Sequence, residues 1–513
     1  RLRQREIFCY GVGHMLNDLT ASCWFTYLLV FLRERVTLSQ AGIVFLSGQL
    51  ADAVATPSVG LLSDQWVGGP LVTKIGRRKV WVASAAVVVA GFFGLTFPVY
   101  FDCLPCSIAH LAHDTASVGS VIGYYSACAA LFNFGWAALQ VNHLALVPEL
   151  TDLDEQRVRC YSYRNAAGVI SNMAVFGLFT LYSAIAPDRF HVWRYLGLSV
   201  LAIGVAATTV FLFGVKEKPY VPPPAATETN AELLGDWRSW FRLANFYIVG
   251  VVYMGARLTV NVSQVYLVLF SMDSLRMASE AQSLMPLVLY VASFFANFSM
   301  DTLIQKFPIK LVFTLGATTS GIGLSAFWAL AQGRIHGDIS SSAVYGAYAI
   351  VLLLGAGNAI VLVSALSMEG RLVGKNRVSG AFVYGALSFA DKLSNGITVF
   401  VVNLVIGSTK TGKTPPVSFD EELQWVFCGI PLCSALLGAA FSFLAKFPED
   451  SGYSHLSIQE DEQLEGDAAS RDTMTSRSSF ADNLRDSVTD RSTAHSGGVI
   501  QRTSSVNTPR NGV

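Results

Sequence analysis

The sequence predicts an all-α membrane protein with twelve spanning helices in two groups of six. Three observations lead there. Of 513 residues, 52% are hydrophobic and 14% are charged, against about 25% charged in an ordinary soluble domain. Mean hydropathy is +0.45. Twelve apolar runs are each long enough to cross a hydrocarbon core of about 30 Å, which takes about 20 helical residues.

In chain order the runs cover 7–32, 41–62, 80–100, 121–147, 164–186 and 194–215, then 243–270, 281–304, 309–332, 343–368, 378–406 and 424–446. Between the sixth and seventh lies KEKPYVPPPAATETNAELLGDWRSW, proline-rich and without apolar period, which reads as a linker. After residue 447 the chain turns rich in Ser, Thr, Asp and Arg and reads as a disordered tail. The expected units are therefore a bundle over 1–215, a linker over 216–242, a second bundle over 243–446 and a tail over 447–513. The opening RLRQRE leads straight into the first run with no cleavable signal pattern. Lys and Arg concentrate in loops on the side of both termini, including Arg1, Arg3, Arg5, Lys74, Arg77, Arg78, Lys79, Arg157, Arg159, Lys216 and Arg371. The excess places both termini and the linker in the cytosol.

A charged side chain at mid-bilayer costs at least about 2.5–3.5 kcal/mol on insertion scales, so each needs a partner or a hydrated cavity. The first run carries His14 and Asp18 at i,i+4, on one helical face. Gln49, Asp52 and Thr56 repeat that pattern in the second. The fourth has Asn133, Trp136, Gln140 and His143, and Arg164 opens the fifth. The seventh holds Arg257, Asn261 and Gln264; the eleventh holds Tyr384, Ser388, Asp391, Lys392 and Asn395. Amides and hydroxyls in such stripes serve helix packing as readily as function. The nearly balanced set of Asp18, Asp52, Asp391, Arg257 and Lys392 points instead to a charged central cavity. Pro57 directly follows Thr56 and is expected to loosen the second helix beside Asp52.

After the second run, GLLSDQ (Gly60 to Gln65) is followed by GRRK (Gly76 to Lys79). Gly60 is expected to permit close helix contact, and Asp64 to cap the next element or pair with Arg77 or Arg78.

Twelve helices in two sixes, with GLLSD…GRRK after the second, resemble the major facilitator superfamily. The resemblance implies a substrate site near the midplane between two six-helix halves. Within it, DAVATPSVGLLSD (Asp52 to Asp64) is similar to the glycoside–pentoside–hexuronide cation symporters. Asp18, Asp52, Gln140, Arg164 and Lys392 occupy places matching polar positions of that group. Two positions depart from it: Thr56 and Gln140 stand where the group has carboxylates, which argues against a sodium site and leaves Asp52 or Asp18 to carry a coupling proton. GHMLNDLTASCWFTYLL, QVNHLALVPEL, RLTVNVSQVYL and SGAFVYGALSFADKLSNG look like one branch of the superfamily, which carries cysteine into lysosomes and melanosomes. That resemblance implies the same substrate and organelles here.

The expectation is a secondary transporter, not an enzyme, for a small polar solute. Asp18, Gln140, Arg164, Arg257 and Lys392 are the expected substrate contacts. Asp52, Thr56, His14 and Asp391 are the expected coupling or gating groups, and Gly60, Asp64, Arg77 and Arg78 a conformational latch. Alternatives are a cation-coupled symporter of a sugar or lysolipid, and a non-transporting sensor or scaffold. Beyond the solute, the bilayer and a coupling proton, no partner is called for, and a monomer is expected. No cofactor or metal site is assigned. Cys103-x-x-Cys106 with His110 and His113 leaves open a disulfide, a zinc site or neither. A net charge of zero gives no footprint for nucleic acid, and there is no G-x-S-x-G, H-E-x-x-H or phosphate-loop sequence.

Overall fold

The computed structural model describes residues 2–65, 70–100, 103–111, 115–151, 153–217, 237–335, 345–373, 377–409 and 419–447. Arg1–Ala445 is one compact unit, and Lys446–Val513 is a second, of which the first two residues are described. The central part of the linker, the tail from 448, His113 and the side chains of Asp64 and His110 lie outside the described residues.

All twelve expected runs are helical. They are α1 Gln4–Arg33, α2 Leu38–Gln65, α3 Arg77–Thr96, α4 Val118–Leu150, α5 Asp154–Ile185 and α6 Arg189–Gly214. Then come α7 Ala244–Ser274, α8 Ala281–Lys306, α9 Ile309–Ile335, α10 Gly346–Val373, α11 Arg377–Thr409 and α12 Glu421–Leu444. Ten are long and apolar enough to cross a membrane. The other two, α2 and α4, carry the stripes of Gln49, Asp52, Thr56 and of Asn133, Gln140, His143. Backbone groups inside a bilayer must bond within their own segment, which leaves helices as the economical choice for such runs. Val87 and Phe213 are 73% and 86% exposed, as side chains turned toward lipid tails are.

Local chemistry fixes the helix ends. The Ser117 hydroxyl accepts from Ser120 N at 3.2 Å and caps α4, and the Asp188 carboxylate accepts from His191 N at 2.9 Å and caps α6. Single π-helical turns interrupt α1 at Cys23–Tyr27, α7 at Phe270–Ser274 and α12 at Trp425–Gly429. Pro57 sits inside a continuous α2.

The chain start, the α2–α3 turn, the start of α5 and the end of α6 share one membrane face, the terminal face. Leu2 N donates to Gln156 Oε1 at 3.0 Å, and Lys79 Nζ donates to the Val215 carbonyl at 2.7 Å. On the opposite face, Arg189 pairs with Glu34 at 2.9 Å above an aromatic cluster of Tyr27, Phe31, Phe97, Phe179 and Trp193. Cys103 and Cys106 form a disulfide, so of the three readings of that pair the disulfide holds. Cys9, Cys23, Cys128, Cys160 and Cys428 are free and buried, while Cys433 is exposed.

Candidate functional site

Two adjoining chambers lie in the middle of the molecule. One, of about 290 Å³, is lined by Asp18, Gln49, Asp52, Trp136, Arg257, Asn261, Asp391, Lys392 and Asn395, among others. The second, of about 420 Å³, is lined largely by α5, α8 and α10 and has amide groups from Asn165, Asn172, Asn297 and Asn358. The two share Asp18, Asn172, Val260, Gln264, Tyr290 and Leu362. Volumes of this order are those of small-molecule sites.

Charge in the first chamber is arranged in pairs. Lys392 Nζ on α11 lies 2.6 Å from Asp52 Oδ1 on α2. It also donates to the Thr56 hydroxyl, which in turn donates to Asp52. Arg257 on α7 meets Asp391 on α11 through two nitrogens, Nε at 2.8 Å and Nη2 at 2.6 Å. Asn261 adds a bond to the second Asp391 oxygen at 3.3 Å. Asp391 and Asp52 are buried, 3% and 2% exposed, whereas Arg257 is 30% exposed. Arg257 thus satisfies its carboxylate while part of its side chain stays open, and it lines the chamber.

Asp18 completes the set from α1. Its partner is His14, whose Nδ1 lies 2.9 Å from Asp18 Oδ1. Arg164 Nη2 donates to His14 Nε2 at 2.9 Å. With Nε2 accepting, Nδ1 carries the proton and donates to Asp18. The His14 ring is buried against His143, with centroids 5.2 Å apart.

The family model for MFS/sugar transport proteins matches residues 9–449. The chain belongs to the major facilitator superfamily. Major facilitator superfamily domain-containing protein 12 of Equus caballus is 36% identical over 420 residues, covering 77% of this chain and 83% of that protein. The Homo sapiens protein of the same name is 34% identical over 421 residues, with the same coverage. A crystal structure of a D-xylose–proton symporter overlays with a TM-score of 0.61 at 15% identity, covering 85% of this chain and 94% of that one. That likeness is one of fold alone. As a member of this superfamily the protein is a membrane transporter, not an enzyme.

On this major facilitator fold the sequence-predicted residues fall into three groups. Asp18, Asp52, Arg257, Asp391 and Lys392 do line one chamber. Thr56 is bonded into the Asp52–Lys392 pair. Arg164 and Gln140 line neither chamber. Arg164 instead donates to the buried His14 ring.

The latch also differs in detail. A Cβ placed on Gly60 would meet Val141 Cγ1 at 4.0 Å, so no close approach depends on that glycine. The demanding position is Gly76, with φ of 106°, where a Cβ would lie 2.3 Å from Glu217 Oε2. Glu149, which the sequence did not single out, takes Arg77 Nη2 and Arg78 Nε at 2.9 Å each. Arg78 also donates to the Ser63 hydroxyl at 2.7 Å. Asp64, the expected partner, lies outside the described side chains. Glu217 accepts from the backbone N–H of Arg78 and Lys79 at 2.9 Å each, placing an anion on the α3 N-terminus. Burial pushes the Glu217 carboxyl above its ordinary pKa, against the lowering pull of those N–H groups.

Sequence reasoning passed over Glu149, Glu217 and Glu369. Glu369, on α10, is 3% exposed and acts electrostatically on Arg257 and Asp391. Each stands as an acid at the end of an apolar run.

Among the described residues, contacts between the first six helices and the last six gather at mid-depth and on the opposite face. Arg33 pairs with Asp273, Arg189 Nη1 donates to Gln282 at 3.0 Å, and Thr180 Oγ1 donates to Ser283 Oγ at 2.6 Å. Together they tie the ends of α1, α5 and α6 to α7 and α8.

Proposed function

We propose that the protein moves a small zwitterionic solute, cysteine by resemblance, from cytosol into lysosomes or melanosomes. It does so as a monomer, by rocking of two six-helix halves around the charged chamber. The observation that carries this reading is the pairing pattern. Asp52 and Lys392 neutralise each other, and so do Asp391 and Arg257, yet Asp18 and Arg257 keep 22% and 30% of their side-chain surface open. An α-ammonium fits Asp18 and an α-carboxylate fits Arg257, within one cavity. Charge-assisted bonds of this kind are about twice as strong as neutral ones.

The Asp52–Thr56–Lys392 cluster is the gating element, since it ties α2 to α11 and must loosen if these helices separate. His14, held by Arg164, sets the orientation of Asp18. A proton gradient directed out of an acidic organelle opposes simple inward symport, so exchange or facilitated diffusion suits this direction of movement. Both termini and the linker lie in the cytosol on this reading, in keeping with the basic residues of the terminal face.

The test is a thermal-shift panel on the purified protein with cysteine, cystine, melibiose and a lysolipid, followed by uptake of labelled solute into proteoliposomes. Stabilisation and uptake by cysteine are expected. A response to melibiose or the lysolipid instead assigns a different cargo, and no uptake of any of them favours a sensor or scaffold.

A further inference from the structure

Two amides in the charged chamber have polar atoms without partners. Gln49, on α2, is 2% exposed and Asn395, on α11, is 1% exposed. Both line the chamber of about 290 Å³. Among the described residues, Gln49 Nε2 and Asn395 Oδ1 have no hydrogen-bond partner. An unpaired buried polar atom costs about 1–3 kcal/mol, so native proteins retain one where a ligand or water completes it.

Their placement is regular. Gln49 stands three residues before Asp52, and Asn395 three residues after Lys392. The two helices run in opposite directions, so both amides lie about one turn further toward the opposite face than the ion pair. Gly396 allows this level to close up: a Cβ there would meet Gln49 Cβ at 2.9 Å. One unpaired atom is a donor and the other an acceptor. Trp136 and Phe25 line the same chamber, and Trp136 has its indole N–H committed to the Asn17 carbonyl at 3.2 Å.

We propose that Gln49 and Asn395 form a specificity subsite for an uncharged group that both donates and accepts one hydrogen bond. A thiol or hydroxyl on the solute side chain has that property. The X–H donates to Asn395 Oδ1, and the heteroatom accepts from Gln49 Nε2. Aromatic rings also line this chamber, and a ring is a favourable neighbour for sulfur. This inference rests on the zwitterion reading, in which Asp18 and Arg257 hold the charged end and leave the side chain to be read one turn away. A methyl group at that place leaves both amides unpaired, and a site built for a hydrogen bond rejects the analogue lacking it strongly.

The experiment is competition by cysteine, serine and alanine against labelled solute exchange in proteoliposomes, for the wild type and for the near-isosteric variants Gln49→Met and Asn395→Leu. Cysteine and serine are expected to compete roughly tenfold or more better than alanine in the wild type. In either variant the ratio is expected to collapse toward one, with protein yield and monodispersity retained. Variants that melt lower yet keep the wild-type preference show that the amides hold a structural water, and overturn the inference while the zwitterion reading stands. A wild type that preferentially takes cysteine and serine but shows the same preference in both variants does the same. If no amino acid competes in the wild type, the zwitterion reading fails and the subsite fails with it.

Discussion

Lys392 Nζ lies 2.6 Å from Asp52 Oδ1 and joins two helices whose partners are 340 residues apart in sequence. Removing one member of a buried pair leaves an uncompensated charge and costs about 3–5 kcal/mol, whereas replacing both is far milder. Asp52→Asn and Lys392→Met alone are each expected to lower the melting temperature sharply. The double variant is expected to recover most of that loss yet transport poorly, because the Thr56 cluster no longer holds α2 to α11. Additive melting losses in the double variant contradict this pairing.

Asp18 is the one chamber carboxylate whose partner, His14, is a histidine rather than a Lys or Arg. Asp18→Asn keeps shape and removes charge. It is expected to weaken solute binding about 10–100-fold, the worth of a hydrogen bond to a charged group, with little change in melting temperature. Measured affinity within twofold of the wild type excludes Asp18 as the ammonium contact.

On the opposite face Arg33–Asp273, Arg189–Gln282 and Thr180–Ser283 bridge the first six helices to the last six. The Thr180→Cys, Ser283→Cys double variant is expected to cross-link on oxidation and to stop transport, with recovery on reduction. Either single variant is expected to stay active under oxidation. Transport that persists in the cross-linked protein rules out separation of α5 from α8 as part of the cycle.

Glu217 gives a pH test outside the membrane. Its folded-state pKa is raised chiefly by burial, so the folded protein binds that proton more tightly than the unfolded chain. The group therefore favours folding most at acid pH, and the advantage is lost as pH rises through the raised value. Relative to Glu217→Gln, the wild type is expected to gain melting temperature as pH falls from about 7.5 to about 4.5. A difference that stays flat across that window contradicts the assignment.

Much of the fold was legible because the bilayer imposes it. Twelve runs near 20 residues and a central polar linker leave few other arrangements, and all twelve runs are helical. The chamber was legible in part for the same reason: Asp18, Asp52, Arg257, Asp391 and Lys392 are too costly in lipid to face it, and the structure brings them to one cavity. The Arg164–His14 contact was not legible, because no local spacing links residues 150 apart in sequence. Glu149 and Glu217 were missed because their partners depend on three helix ends meeting, α3, α4 and α6, and no local spacing records such a meeting. The sequence singled out Gly60 and gave Gly76 no role. The positive φ of Gly76 and its contact with Glu217 separate them.

The most direct measurement is exchange of labelled cysteine across proteoliposomes by the wild type beside Arg257→Gln, with protein yield and melting temperature recorded. Exchange by the wild type, and its loss by about tenfold or more in a variant that still folds, is the expected result. Full exchange by Arg257→Gln, or none by the wild type, contradicts the account of a zwitterion held between Asp18 and Arg257.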